Sequence, residues 1–140
     1  MKQKIIGLYQ LITGIFGVIL LLFSVSAILE NPGRIFTYVL GLLLFSGVAY
    51  SGYALINNFK NGVKYSIIAQ ALQVISITFI GIRYLFTGSA FLAIVIGEGI
   101  HIKSQIAPIA YSISLVSPFE SFEIKIFVVP VILIFFLLRK

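Results

Sequence analysis

The chain has 140 residues, of which 60% are hydrophobic and only 10% are charged, and its formal net charge is +6. A soluble domain is usually about 45–50% apolar and about 25% charged, so this composition excludes an ordinary water-soluble fold. The length fits one domain covering residues 1–140. We therefore expect a single polytopic membrane domain in contact with the lipid bilayer.

The residue types that most enzymes and cofactors require are scarce in this sequence. There is no cysteine, no aspartate and a single histidine, His101. Disulfides, thiolate metal sites, Ser-His-Asp triads and paired-histidine zinc motifs are therefore excluded. The basic residues lie in pairs at the edges of apolar runs, a pattern typical of membrane topology and unlike a nucleic-acid-binding face. We expect no enzymatic activity, no cofactor, no metal and no nucleic acid.

Three long apolar runs predict membrane-spanning helices, because a spanning helix needs roughly 20 apolar residues. They cover about 5–29, 35–56 and 65–86. The second run follows Asn31-Pro32-Gly33, a strong turn signal. The first run has an alternative interpretation as a signal peptide cleaved near Val25-Ser26-Ala27, although its apolar stretch is longer than such peptides usually carry.

A fourth span is predicted at about 118–138. Ser117-Pro118-Phe119-Glu120 has the pattern of a capping box, with Ser117 as the N-cap and proline at the first helical position. A helix that starts there is long enough to cross the bilayer, and Pro130 predicts a kink within it. The expected fold class is therefore an all-α integral membrane protein with four transmembrane helices.

The distribution of charge predicts the orientation of these four spans. An even number of spans puts both termini on one side, which carries six basic residues and no acid: Lys2, Lys4, Lys60, Lys64, Arg139 and Lys140. The opposite side mixes both signs: Arg34, Arg83, Lys103, Lys125, Glu30, Glu98, Glu120 and Glu123. The positive-inside rule then places both termini in the cytoplasm, and a bacterial inner membrane is the expected location.

Small and polar residues mark the faces where helices are expected to pack, because close approach and interhelical hydrogen bonds drive association in a bilayer. At 100° per residue they cluster on one side of the first and third helices, and less clearly on the second. The predicted packing residues are Gly7, Gln10, Gly14, Gly17, Gly47, Ser51, Gln70 and Gln73. On the third helix Ser66, Gly81 and Tyr84 share that face. The three glutamines either fix the packing through hydrogen bonds or line a polar path for a solute.

Residues 91–115 differ from the rest of the chain, because they alternate with period two and are rich in β-branched residues. This pattern predicts short antiparallel strands at about 91–96, 100–106 and 109–115 on the outer side of the membrane. So small a sheet needs a cover, from the membrane surface, the helix ends or a partner strand. A possible outer polar cluster is formed by Arg83, Glu98, His101 and Lys103; the alternative is a solvated strand face.

The expected function is that of a non-enzymatic accessory, scaffold or assembly subunit of a membrane complex. Its expected partners are other membrane protein chains or further copies of itself. The alternative is a small homo-oligomeric transporter or channel with a polar path near Gln10, Gln70 and Gln73. A third hypothesis is an enzyme acting on lipid, with Glu98 and His101 as acid and base.

Overall fold

The computed structural model describes residues 2–23, 25, 35–79, 82–87, 91–96, 100–105, 110–115 and 122–139. Within them the chain forms four helices and six strands. In chain order these are α1 Lys2–Phe23, α2 Ile35–Ile56, α3 Gly62–Val74, β1 Ile75–Phe79, β2 Ile82–Thr87, β3 Phe91–Ile96, β4 Ile100–Gln105, β5 Ala110–Leu115, β6 Glu123–Phe127 and α4 Val128–Leu138. The chain divides into two compact units, Met1–Ala69 and Gln70–Lys140.

Two of the described helices are long and apolar enough to cross a membrane, over Gln3–Phe23 and Ile35–Ile56. A helix of 22 residues, the length of α1 and of α2, extends about 33 Å, which matches a hydrocarbon core about 30 Å thick. Helix α2 has the predicted bounds. Helix α1 occupies most of the first predicted span, of which residues 24 and 26–29 lie outside the described part.

A tight turn ends α2 and starts α3. Asn58 has a φ of 54°, a left-handed conformation that asparagine tolerates better than most residues. The backbone N–H of Phe59 then donates to the carbonyl of Ala54 at 2.9 Å, which satisfies one of the last carbonyls of the helix. A Cβ on Gly62 would lie 2.7 Å from that same Ala54 oxygen, so only glycine fits where α3 begins.

The predicted third span at 65–86 is wrong as a single helix. Helix α3 ends at Val74, and the chain continues directly into β1 and then β2. The reason lies in the sequence Ile75-Ser-Ile-Thr-Phe79, where β-branched residues alternate with polar ones and therefore favour a strand over a helix. Tyr84, expected on the polar face of that helix, lies in β2; Gly81 is outside the described residues.

The predicted fourth span at 118–138 is also wrong as a continuous helix. Strand β6 occupies Glu123–Phe127, and α4 has only 11 residues, about 16 Å at 1.5 Å per residue. The alternation of Glu123-Ile-Lys-Ile-Phe127 favours the strand. Pro130 lies in the first turn of α4, where a missing N–H costs no helical hydrogen bond, so the expected mid-helix kink is absent from α4. The predicted capping box lies outside the described residues.

The six strands form one antiparallel sheet with the order β4-β3-β6-β1-β2-β5. The three strands predicted between 91 and 115 are present as β3, β4 and β5, but they do not form an isolated insertion. Strands β3 and β4 pair with each other, whereas β5 pairs with β2, at the opposite end of the sheet. Because Ile75 pairs with Ile126, the chain enters β1 from α3 and leaves β6 into α4 at the same end of the sheet.

Candidate functional site

Glycines allow α1 and α2 to approach each other more closely than any other residue would permit. A Cβ on Gly52 would lie 2.5 Å from the carbonyl oxygen of Gly7 and from the amide nitrogen of Leu11. A Cβ on Gly14 would overlap the backbone of Ala49, and one on Gly17 would overlap the ring of Phe45. Gly7, Gly14 and Gly17 therefore lie against α2, as the small-residue face of α1 requires.

Gly47 has a different environment from the other predicted packing glycines. A Cβ built on it would meet no atom within 4 Å, so this position of α2 is open within the described residues. Gly52 of α2 contacts α1, and the buried Ser51 beside it lies 3.5 Å from Gln10 Oε1. Gly47 is one turn from Ser51, but helix α1 packs against the neighbouring part of the helical surface.

Gln10 forms a buried hydrogen-bonded group that joins α1 to α3. The Ser66 hydroxyl donates to Gln10 Oε1 at 2.6 Å, and Gln10 Nε2 donates to the Ser66 carbonyl oxygen at 3.3 Å. The Ser51 hydroxyl of α2 lies 3.5 Å from the same Oε1 and donates to the Val48 carbonyl at 2.8 Å. All three side chains are buried, so the sequence-predicted Gln10 and Ser51 meet here.

Gln70 and Gln73 follow Ser66 along α3 and are also buried. The two side-chain polar atoms of Gln70 make no hydrogen bond within the described part of the chain. An unsatisfied buried amide costs stability, because it has exchanged water for an apolar environment without compensation. Within the described residues, therefore, the side-chain amide of Gln10 is hydrogen-bonded and that of Gln70 is not.

We expect Gln10→Leu and Gln70→Leu to change stability in opposite directions. Gln10→Leu leaves the Ser66 hydroxyl without its acceptor and is expected to cost roughly 1–3 kcal/mol. Gln70→Leu removes unpaired polar atoms at nearly constant volume and is expected to leave stability unchanged or to raise it. Thermal unfolding of both variants in one mild detergent measures the difference. Equal destabilisation by both would contradict the assignment of Gln70 as unpaired.

The structure separates the members of the possible outer polar cluster. Arg83 lies in β2 and pairs with Thr78 and Ser114, whereas His101 and Lys103 lie in β4, opposite Val95 and Ala93. Three strands stand between β4 and β2, which corresponds to about 19 Å at about 4.8 Å per strand. Glu98 lies outside the described residues. An acid–base or anion site that joins Arg83 to His101 is therefore not assembled by the sheet.

Six isoleucines occupy one face of three adjacent inner strands, β3, β6 and β1. The register aligns them in two rows across these strands: Ile96, Ile124 and Ile77, and Ile94, Ile126 and Ile75. Residues two positions apart on a strand share a face, so the two rows are contiguous. Ile75 and Ile77 are 43% and 40% exposed, and Ile94 and Ile96 are each 37% exposed. We call this surface the isoleucine face.

The opposite face of the sheet is the buried one, although it carries the polar residues. Ser76, Thr78, Val95 and Phe127 are all buried. Glu123 and Lys125 share this face, are partly exposed, and form an ion pair at 3.1 Å. An antiparallel sheet in water usually buries its apolar face and exposes its polar face. In this sheet the distribution is reversed: the apolar face is the more exposed one and the polar face is the more buried one.

Tyr84 extends the first isoleucine row onto β2, because it pairs with Ile77. Its hydroxyl donates to the carbonyl oxygen of Leu72 at 3.0 Å, and its own carbonyl accepts from the Ser76 hydroxyl at 2.7 Å. Burial raises the pKa of the Tyr84 phenol above its ordinary value, because the ionised form is disfavoured away from water. The phenol therefore stays neutral at physiological pH, and this row carries no charge at Tyr84.

The sequence-based prediction did not identify the isoleucine face. Its signal was the period-two alternation in 75–79 and 123–127, two short segments that lie inside or next to long apolar runs. No protein-family model, curated protein or solved structure matches this chain. The described residues define a glycine-packed helical pair and an open antiparallel sheet with an exposed apolar face.

Proposed function

We propose that this chain is a non-enzymatic integral membrane protein that serves as an accessory or scaffold subunit of a membrane complex. In this proposal α1 and α2 cross the bilayer, and the isoleucine face binds the apolar, uncharged surface of another membrane protein chain. Two spans suffice to put Lys2 and Lys4 on the same side as Lys60 and Lys64, and the positive-inside rule makes this side cytoplasmic. A bacterial inner membrane remains the expected location.

The observation that carries the proposal is the exposure of the isoleucine face. Contiguous apolar surface of this kind marks protein or membrane contacts in folded proteins. Fully burying an isoleucine side chain contributes about 1.5–3 kcal/mol, so covering four that are about 40% exposed contributes a few kcal/mol. That gain contributes to the affinity for a partner, and contacts at the sheet edges would have to supply the rest, because association itself costs at least about 4 kcal/mol.

The edges of the sheet favour a protein partner over lipid alone. In the described sheet β4 and β5 each have one neighbouring strand, so each leaves backbone N–H and C=O groups unpaired on its outer side. Hydrocarbon cannot satisfy these groups, and open sheet edges do not occur in the hydrocarbon region. A bilayer that covered the isoleucine face by itself would leave both edges unsatisfied, whereas protein chains can cover both the face and the edges.

Purification of the tagged full-length chain from its own host in mild detergent tests the proposal. We expect a second, different chain to co-purify in fixed stoichiometry and to remain bound through size-exclusion chromatography. A chain that is monodisperse and folded with no other protein attached would contradict the subunit role.

A homo-oligomeric transporter is the second candidate function, and the unpaired amide of Gln70 favours it. A buried polar group without a partner in the protein is free to form a hydrogen bond with a solute that passes it. Gln70 and Gln73 lie on one face of α3 and are both buried. A liposome flux assay that compares the intact protein with a Gln70→Leu, Gln73→Leu variant tests this function. Equal flux, or no flux from either protein, would contradict it.

A further inference from the structure

The two edges of the sheet differ in charge. Strand β4, with the sequence Ile-His-Ile-Lys-Ser-Gln, carries His101 and Lys103. Strand β5, with the sequence Ala-Tyr-Ser-Ile-Ser-Leu, carries no charge, and none occurs anywhere in residues 104–119. Charged side chains, lysine above all, are the common means by which natural edge strands resist pairing with another chain. Strand β5 lacks this protection.

The sequence around β5 is nearly symmetric about Ile113. It runs Pro108-Ile-Ala-Tyr-Ser-Ile-Ser-Leu-Val-Ser-Pro118. Serines flank the central isoleucine on both sides, large apolar residues follow, then Ala110 and Val116, and a proline stands five residues away in each direction; only Ile109 and Ser117, next to the prolines, differ in polarity. Proline cannot donate to a strand ladder, so the two prolines limit any pairing to the same stretch on both sides.

A two-fold axis between two antiparallel copies of a strand sets residues equally distant from the central residue opposite each other. A symmetric sequence therefore brings similar residues together. When two antiparallel copies pair with Ile113 opposite itself, Tyr111 faces Leu115 and Ser112 faces Ser114. Within β5 this register sets apolar residues opposite apolar ones, and the alternation of each strand continues across the junction. A slip of one residue would place each apolar residue opposite a serine or alanine and reverse the two faces.

The absence of charge on β5 also favours pairing about a two-fold axis. A two-fold axis brings like groups together, so a charged strand repels its own copy. Pairing β4 with itself about Ile102 would set His101 opposite Lys103 and gather two lysines at one junction. The two lysines would then be diagonal neighbours across the junction and repel each other, whereas β5 brings no charge to its copy. Of the two edges, β5 is the one suited to a second copy of this chain.

We propose that β5 pairs with β5 of a second copy about a two-fold axis through Ile113, joining two six-stranded sheets into one. The interface is isologous, and each copy satisfies the unpaired edge backbone groups of the other. This inference does not rest on the proposed subunit function. A β5 dimer without any other partner would support it while contradicting the subunit role.

Single-cysteine cross-linking in native membranes tests the pairing, since the chain has no cysteine of its own. Residues facing each other across antiparallel strands have Cα atoms about 4.5–5.5 Å apart, which lies within disulfide reach. Mild oxidation of the full-length Ile113→Cys variant is therefore expected to give a dimer of twice 15.4 kDa. Size-exclusion chromatography of the reduced variant, compared with the unsubstituted chain, shows that the substitution itself causes no aggregation.

Matched cysteines establish the register. Two Tyr111 positions in the dimer lie about 14 Å apart along the strands, so Tyr111→Cys alone is expected to yield at least about tenfold less dimer than Ile113→Cys. Tyr111→Cys mixed with Leu115→Cys is expected to cross-link as Ile113→Cys does. Ile102→Cys, on the other edge, is the negative control. Equal dimer from Tyr111→Cys or Ile102→Cys, no dimer from Ile113→Cys, or its cross-link to a different protein would each overturn the proposal.

Discussion

Replacing Gly14 with alanine is expected to destabilise the chain and to lower its unfolding temperature by several degrees. A Cβ at this position would lie 2.7 Å from the Cα of Ala49 and still closer to its amide nitrogen. These are backbone atoms of α2, so relief requires the helices to separate, and such overpacking costs about 1–3 kcal/mol. Circular dichroism during heating in mild detergent measures the shift. Gly14→Leu is expected to yield no folded protein.

Gly47→Ala is the matched control for this prediction. It makes the same chemical change in a helix, but apart from the backbone of its own helix no atom of the described residues lies within 4 Å of the added Cβ. Alanine is favoured over glycine inside a helix by about 1 kcal/mol, so this variant is expected to be as stable as the original or slightly more stable. Equal loss of stability in both variants would contradict the close contact between α1 and α2.

Placing a charge on the isoleucine face is expected to abolish association with the partner chain. Ile77 lies in a central strand and is 40% exposed, so Ile77→Lys brings an ammonium group into the surface that we propose binds the partner. An unpaired charge in an apolar interface costs several kcal/mol, and each 1.4 kcal/mol lowers affinity tenfold. We expect co-purification of the partner to fall at least about a hundredfold, with helical and sheet content retained.

Asn61→Lys is the charge-matched control, because Asn61 is exposed in the turn between α2 and α3. It adds the same group outside the isoleucine face and is expected to leave co-purification unchanged. Ile96→Lys changes the same row of the face through strand β3 and is expected to behave as Ile77→Lys does. Retention of the partner by both isoleucine variants would show that this surface is not the binding site.

The sequence predicted best the elements whose boundaries carry strong local signals. Helix α2 begins after Asn31-Pro32-Gly33 and ends at the polar stretch around Asn58, and it has the predicted bounds. Strands β3, β4 and β5 lie within a residue of their expected ends, because alternation and turn residues define them locally. The packing role predicted for Gly7, Gly14 and Gly17 followed from helical periodicity alone.

Strands β1 and β6 were not predicted from the sequence, and the reason is the same for both. Strand β1 continues an apolar helix without an intervening polar residue, so averaging hydropathy over 65–86 conceals the switch at Ile75. Strand β6 precedes an apolar helix in the same way. Once β1 and β6 are taken for helices, the central strands of the sheet are lost, and with them the isoleucine face. The pairing of β6 with both β3 and β1 is non-local and could not be predicted from the spacing of residues in one sequence.

The most direct test of the account identifies what covers the isoleucine face in the native membrane. A photoreactive amino acid at position 77 of the full-length chain, activated by light in intact host membranes, reports the molecule in contact there. We predict a discrete cross-linked product with one other protein, and no such product from the same group at Asn61. Cross-links from position 77 to lipid alone would contradict the claim that this face binds a partner chain.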